Sequence, residues 1–174
     1  LEARFIESLP RLGGADGLPA VKLVQEIVFG KSGYLLEVGG ERYWVEPQRD
    51  LGASDGVAVA SCPDFVIWPA VSRSTRRPIA VFCDGWAYHQ DSLREDARKR
   101  SAVVASGRFW VWSVTHEDVK AGLASDVITD LESPLTALNR HGGSQAPTSV
   151  PRAEPQAFSR NAVAQLVRWL AHEA

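Results

Sequence analysis

The sequence contains no methionine, and only two of its 174 residues are cysteines. A translated chain of this length ordinarily carries at least its initiator methionine, so we expect the sequence to be a piece of a longer protein. Cys62 and Cys83 do not form a Cys-x-x-Cys pair, which argues against a zinc or redox centre. This sparse cysteine usage predicts a reducing compartment, and we expect the cytoplasm.

Long apolar runs and net charge are also lacking. No run approaches the roughly 20 apolar residues that cross a bilayer, so a membrane is not an expected partner. The formal net charge is −2, whereas a protein that coats nucleic acid nonspecifically needs many Lys and Arg contacts to phosphate. Any contact with DNA must therefore be local or supplied by a linked domain. The composition, 45% apolar and 23% charged, is that of an ordinary globular domain.

The periodicity of apolar residues predicts an α/β chain. Residues 2–9 have apolar positions at helical spacing, and we expect Pro10 to end this opening helix. Residues 21–29 favour a strand, although 22–26 also tolerate a helix. Gly39-Gly40 permits a tight hairpin turn. Further strands are expected at residues 34–38, 42–45, 57–60, 64–68, 79–83 and 109–114.

Helices are predicted between and after these strands, at residues 91–106, from Thr115 with Asp118 at capping distance, at 126–138 and at 158–172. Residues 141–155 are rich in Gly, Ser, Pro and polar residues. We therefore divide the chain into a domain at 1–139, a linker at 140–157 and a C-terminal helix at 158–174.

The candidate chemistry lies in residues 63–119. One predicted strand begins at Pro63-Asp64-Phe65, and the next contains Val81-Phe82-Cys83-Asp84-Gly85-Trp86-Ala87-Tyr88-His89. The order of elements and the Pro-Asp pair resemble the PD-(D/E)XK nucleases. The second stretch is similar to the variant form in very-short-patch repair endonucleases, which reads approximately Val-Phe-x-His-Gly-x-Phe-Trp-His. The chain lacks the usual acid-x-Lys motif, because Phe82, Cys83 and Asp84 stand in its place.

This resemblance implies a restriction-endonuclease-like α/β core, with a central mixed sheet flanked by helices, and a magnesium-dependent DNA endonuclease activity. It implies that the Asp64 carboxylate and the Cys83 backbone carbonyl hold Mg²⁺, and that His89 is the general base or orients water. Asp84 replaces the family's histidine and could instead bind metal. A carboxylate from the opening helix is also implied, with Glu2 as the first choice and Glu7 as the second.

Basic residues near these motifs are candidates for contacts to DNA phosphates. Arg73, Arg76 and Arg77 lie in the loop between the two strands, whereas Arg98, Lys99 and Arg100 lie on the following helix. Domains resembling this one also occur at the end of large helicase-like proteins of bacterial DNA repair and phage defence. The resemblance therefore implies a covalently linked helicase domain as a partner.

Each candidate also has a plain structural interpretation. Acids at strand edges are common, Asp84-Gly85 is a frequent turn dipeptide, and a carboxylate such as Glu2 is favourable in the first turn of a helix. Charged residues on the helix at 91–106 are equally consistent with exposed ion pairs. A catalytically inactive module that binds DNA or docks a partner therefore stays open, as does a scaffold that binds no nucleic acid.

Overall fold

The computed structural model describes residues 1–15, 17–71, 75–84, 93–124 and 161–172. The elements, in chain order, are α1 (Glu2–Leu12), β1 (Val21–Val28), β2 (Lys31–Val38), β3 (Glu41–Pro47), β4 (Phe65–Pro69), β5 (Ile79–Asp84), α2 (Leu93–Ala105), β6 (Trp110–Thr115), α3 (His116–Leu123) and α4 (Ala162–His172). One turn of 3-10 helix, Ala53–Asp55, lies between β3 and β4. Within these ranges, no helix is both long and apolar enough to cross a membrane.

The six strands form one mixed sheet in the order β1-β2-β3-β4-β5-β6. The four pairs from β1-β2 to β4-β5 are antiparallel. The last pair, β5-β6, is parallel, and its strands are joined through α2. The register pairs Phe65 with Val81 and Asp84 with Thr115. The expected α/β class, with a mixed sheet flanked by helices, is confirmed, while the specific restriction-endonuclease-like core stays a prediction.

Both faces of the sheet are covered by helices, because alternate residues of the central strands point to opposite sides. Phe65, Val81 and Cys83 belong to the core shared with α1, α3 and α4. The alternate residues Val66, Ala80 and Phe82 pack with Val103 of α2 in a second cluster. The core on the first face includes the fully buried side chains Leu166 and Leu170 of α4, so the C-terminal helix packs with the rest of the fold.

Two local predictions were wrong. Helix α1 does not end at Pro10 but continues to Leu12, whose buried side chain holds the last turn against the core. Residues 57–60 form no strand, and the neighbouring chain pairs only through an isolated bridge between Leu51 and Ser61. Val57 is buried by packing in the α2-side cluster rather than by strand pairing. The helix predicted at 126–138 and the linker at 140–157 lie outside the described residues.

The predicted hairpin, the strand pair at the centre and the capped helix after β6 are confirmed. Gly39 and Gly40 have φ values of 57° and 95°, the left-handed conformation that the turn between β2 and β3 requires. Thr115 and Asp118 form a reciprocal capping box at the start of α3.

Candidate functional site

The candidate carboxylates lie at one edge of the sheet. Parallel strands β5 and β6 end at this edge, antiparallel β4 begins there, and β3 also ends there. This topology puts Asp64, immediately before β4, beside Asp84 at the end of β5. Helix α1 begins near the same edge, where Gln48 Nε2 donates a 3.4 Å hydrogen bond to Glu2 Oε2. We call Glu2, Asp64 and Asp84 the carboxylate cluster.

The chain around Asp64 is held by main-chain hydrogen bonds. Asp64 Oδ2 accepts a 2.6 Å hydrogen bond from the Cys83 N–H, and its carbonyl accepts a 2.9 Å bond from the Gln48 N–H. The N–H and C=O of one strand residue lie on the same side of the strand. The Cys83 carbonyl therefore faces the side of β5 where Asp64 lies, which is the orientation that a shared ligand set requires.

Gln48 adopts an unusual backbone conformation to reach this position. Its φ of 45° lies in the left-handed region, where a non-glycine residue stores about 1–3 kcal/mol of strain. This conformation lets the Gln48 main chain bind Asp64 while its side chain binds Glu2. The end of β3 is thus tied to both acids.

The environment of Asp64 disfavours its charged form. Burial raises the pKa of the Asp64 carboxyl, and the neighbouring Glu2 and Asp84 carboxylates raise it further, although the hydrogen bond from Cys83 opposes them. Because a group with like charges around it is stabilised by an added cation, this site favours a positively charged ligand.

The thiols close to the cluster are unsuited to nucleophilic chemistry. Burial, followed by the Asp64 and Glu2 charges, raises the pKa of the Cys83 thiol to about 12. Cys62 is exposed as a residue. Partial burial of its thiol and a hydrogen bond with Asp50 nevertheless raise the pKa of this thiol. Since the thiolate is the reactive form, Cys83 contributes to the site through its backbone.

Asp84 is held by Arg100 of α2, which the sequence analysis considered only for contacts to phosphate. Arg100 Nη1 donates to Asp84 Oδ2 at 2.9 Å, and Nη2 donates to the other carboxylate oxygen. Nη1 also donates to Ser113 Oγ at 2.9 Å, and the guanidinium carbon lies 5.0 Å from the centre of the Phe82 ring. The hydrogen bond with Asp84 is the largest cause of the raised Arg100 pKa.

The orientation of α2 explains why Arg100 reaches Asp84. Arg100 lies one helical turn before the fully buried Val103, so it projects toward the sheet rather than into solvent. The crossover from β5 through α2 to β6 then brings this face of the helix over the end of β5. Choosing among Arg98, Lys99 and Arg100 required the phase of the helix, which the alternation of charges did not reveal.

The other basic candidates do not converge on the cluster. Arg76 and Arg77 precede β5, so they lie at the opposite end of this strand from Asp84. Seven extended residues separate Arg77 from Asp84, which corresponds to about 23 Å. Arg76 binds the Tyr43 hydroxyl at 2.7 Å and Glu41 at 3.3 Å, and Arg77 stacks over Trp110.

On α2, Lys99 pairs with Glu95 at 3.3 Å, and Arg98 is exposed. Glu7, the second choice on α1, pairs with Arg11 on the surface, whereas Glu2 faces the cluster. Arg73 and His89 lie outside the described residues.

The donors at the cluster match a hard cation in kind. Asp64 and Glu2 supply carboxylate oxygens, and Cys83 supplies a carbonyl oxygen, which are the donor types that Mg²⁺ takes in proteins. Over the described ranges, no group of three or more His, Cys, Asp or Glu side chains is arranged to hold a metal ion. A cation here would therefore rely on the main-chain carbonyl and on water in addition to the two acids.

No protein-family model, curated protein or solved structure matches this chain.

Proposed function

We propose that this chain is a metal-dependent DNA endonuclease domain that hydrolyses phosphodiester bonds within a larger helicase-type protein of DNA repair or phage defence. The observation that supports this function best is the convergence of Glu2, Asp64 and Asp84 at one sheet edge. The resemblance to very-short-patch repair endonucleases implies acids at Glu2 and Asp64, whereas Asp84 stands where the family has a histidine, and the three residues come from separate segments of the chain.

Each residue at the edge has a separate role in this proposal. The Asp64 carboxylate and the Cys83 carbonyl would hold Mg²⁺, and Glu2 would complete the protein ligands. When bound, the cation activates water and neutralises negative charge on the phosphate. The Cys83 N–H fixes the Asp64 carboxylate, and Gln48 fixes Glu2 relative to it. The chain thus sets the geometry before substrate arrives.

Proton transfer and DNA affinity are assigned to other parts of the protein. His89 acts as general base or orients the water, a role carried by the resemblance alone. Arg98 and Lys99 on α2 contact phosphates away from the cleaved bond, as do Arg73, Arg76 and Arg77. With a formal charge of −2, the domain binds DNA weakly by itself, and the helicase portion supplies the remaining affinity.

A catalytically inactive DNA-binding or partner-docking module is the second candidate. The bidentate pair of Asp84 with Arg100 favours it, because both Asp84 oxygens are already engaged. The absence of a lysine two residues after Phe82 points the same way.

Plasmid nicking separates the two candidates. We expect the purified chain to nick supercoiled plasmid with Mg²⁺ but not with EDTA. Asp64→Ala and His89→Ala are expected to lose at least about a hundredfold in rate, because each removes an interaction worth several kcal/mol in the transition state.

A matched pair of glutamates on α1 provides the control. Glu2→Gln should reduce nicking, whereas Glu7→Gln, which alters a surface pair with Arg11, should not. Equal nicking by the parent protein and Asp64→Ala would discard the enzyme function. DNA binding in low salt without any nicking would favour the inactive module.

A further inference from the structure

Arg100 is fixed more firmly than a surface arginine that only contacts DNA. Its two terminal nitrogens bind Asp84 and Ser113, and its guanidinium lies over the Phe82 ring. Its Nε is buried and has no hydrogen-bond partner in the described structure. Leaving a buried N–H unpaired is unfavourable, so the position of this cation at the sheet edge lowers the stability of the fold.

The pair changes what Asp84 can do at the carboxylate cluster. Both carboxylate oxygens accept hydrogen bonds from Arg100, which fixes the plane of the carboxylate and occupies the lone pairs facing α2. Each Asp84 oxygen keeps a second lone pair, and the Asp84 charge raises the pKa of the nearby Asp64 carboxyl. Arg100 therefore sets the direction in which Asp84 presents its remaining lone pairs.

The formal charge at this edge follows from the same contacts. The cluster contributes three carboxylates, and Arg100 is the side-chain cation that pairs with it in the described part of the chain. For these four side chains alone the sum is −2 when all three acids are ionised, which matches the charge of one divalent cation. Without Arg100 the sum would be −3, and Asp84 would be free to act as an additional ligand.

We propose that Arg100 is a positioning residue that holds Asp84 out of the ligand set and balances the carboxylate cluster to bind a single divalent cation. This inference rests on the proposed metal-dependent function and deepens it by assigning the charge balance of the site. Arg100 acts through Asp84 and does not contact the cation.

Titration with Mn²⁺ in the absence of DNA, read by calorimetry and by electron paramagnetic resonance, tests this balance without measuring activity. We expect Arg100→Gln to bind Mn²⁺ about tenfold more tightly, because one positive charge is removed and Asp84 is released. Asp84→Asn should bind about tenfold more weakly, since it leaves Arg100 without its counter-charge. The double variant Asp84→Asn/Arg100→Gln restores the sum to −2 and should bind within about threefold of the parent protein.

Controls separate charge balance from a general structural role. Arg94→Gln makes the same change of charge at an exposed position on α2, about 9 Å away along the helix axis, and should change Mn²⁺ affinity less than threefold. Arg100→Lys keeps the charge and should also stay within about threefold of the parent. Thermal unfolding followed by circular dichroism identifies any variant that fails to fold, in which case Asp84→Asn and Arg100→Lys carry the test.

The outcomes distinguish this inference from the proposed function. If the parent protein binds Mn²⁺ and Arg100→Gln binds it no more tightly, the charge balance is wrong while the metal-dependent function stands. A double variant weaker than both single variants would also overturn the balance, because it would indicate additive structural damage. If the parent protein binds no Mn²⁺ at millimolar concentrations, both proposals fail together.

Discussion

Asp64→Asn is expected to stabilise the metal-free protein while abolishing nicking. The asparagine Oδ1 can keep the 2.6 Å hydrogen bond from the Cys83 N–H, and its new amide N–H can donate to Glu2. The substitution removes the buried negative charge and its repulsion by Glu2 and Asp84. Under the proposed function, Asp64 is therefore a carboxylate that is kept at a cost in stability.

The magnitude follows from partial burial. Because the Asp64 side chain is only about half-buried, solvent screens part of the repulsion, and we expect a gain of about 0.5–1.5 kcal/mol at pH 7. For a chain of this size each kcal/mol shifts Tm by about 2–4 °C. The expected increase in Tm is therefore about 1–6 °C in EDTA, measured by circular dichroism and checked by urea unfolding.

The dependence on pH provides an internal check. Burial and neighbouring carboxylates raise the pKa of Asp64 above its ordinary value of 3.8 in the folded state. The native protein thus binds this proton more tightly than the unfolded chain, so the Asp64 contribution to stability falls as pH rises through the raised pKa. Asp64→Asn has no ionisable group at this position, so its stability does not fall with pH for this reason. Its advantage should be small below pH 3.8 and fully developed at neutral pH.

The reasoning would be refuted by a variant that is less stable than the parent at pH 7. It would also be refuted by an advantage that shrinks as pH rises from 4 to 7. Loss of nicking without a gain in stability would mean that the acids lie too far apart, or are too well solvated, to repel one another.

Two further predictions concern the frame around the site. Asp118→Ala should lower the free energy of unfolding by about 2–3 kcal/mol in urea titrations, because Asp118 accepts hydrogen bonds from the Thr115 N–H and hydroxyl and from the first turn of α4; Glu117→Ala, on the same helix turn, should change it by less than about 0.5 kcal/mol. In maleimide labelling at pH 8 with mass spectrometry, Cys83 should react only on unfolding, because its thiol is buried and has a pKa of about 12. The exposed Cys62 should react slowly in the native protein. Rapid labelling of Cys83 in the native protein would contradict the burial of its thiol.

Local sequence patterns predicted the elements where the pattern and the tertiary environment agree. The Gly39-Gly40 turn and the Thr115-Asp118 cap need only neighbouring residues, and both are confirmed. Residues 57–60 look like a strand by composition, but pairing requires an adjacent strand, and tertiary packing buries Val57 instead. Pro10 is a general helix stop, yet Leu12 finds a buried position beyond it.

The residue types at the candidate site can be read from the sequence alone: the acids Glu2, Asp64 and Asp84, with no lysine on the second strand. Which groups contact these acids depends on the packing of the fold. Sheet order brings three distant segments to one edge, and the phase of α2 directs Arg100, rather than Arg98 or Lys99, onto Asp84. Side-chain direction on a helix depends on which face the core buries, and this is fixed only when the helix packs against the sheet.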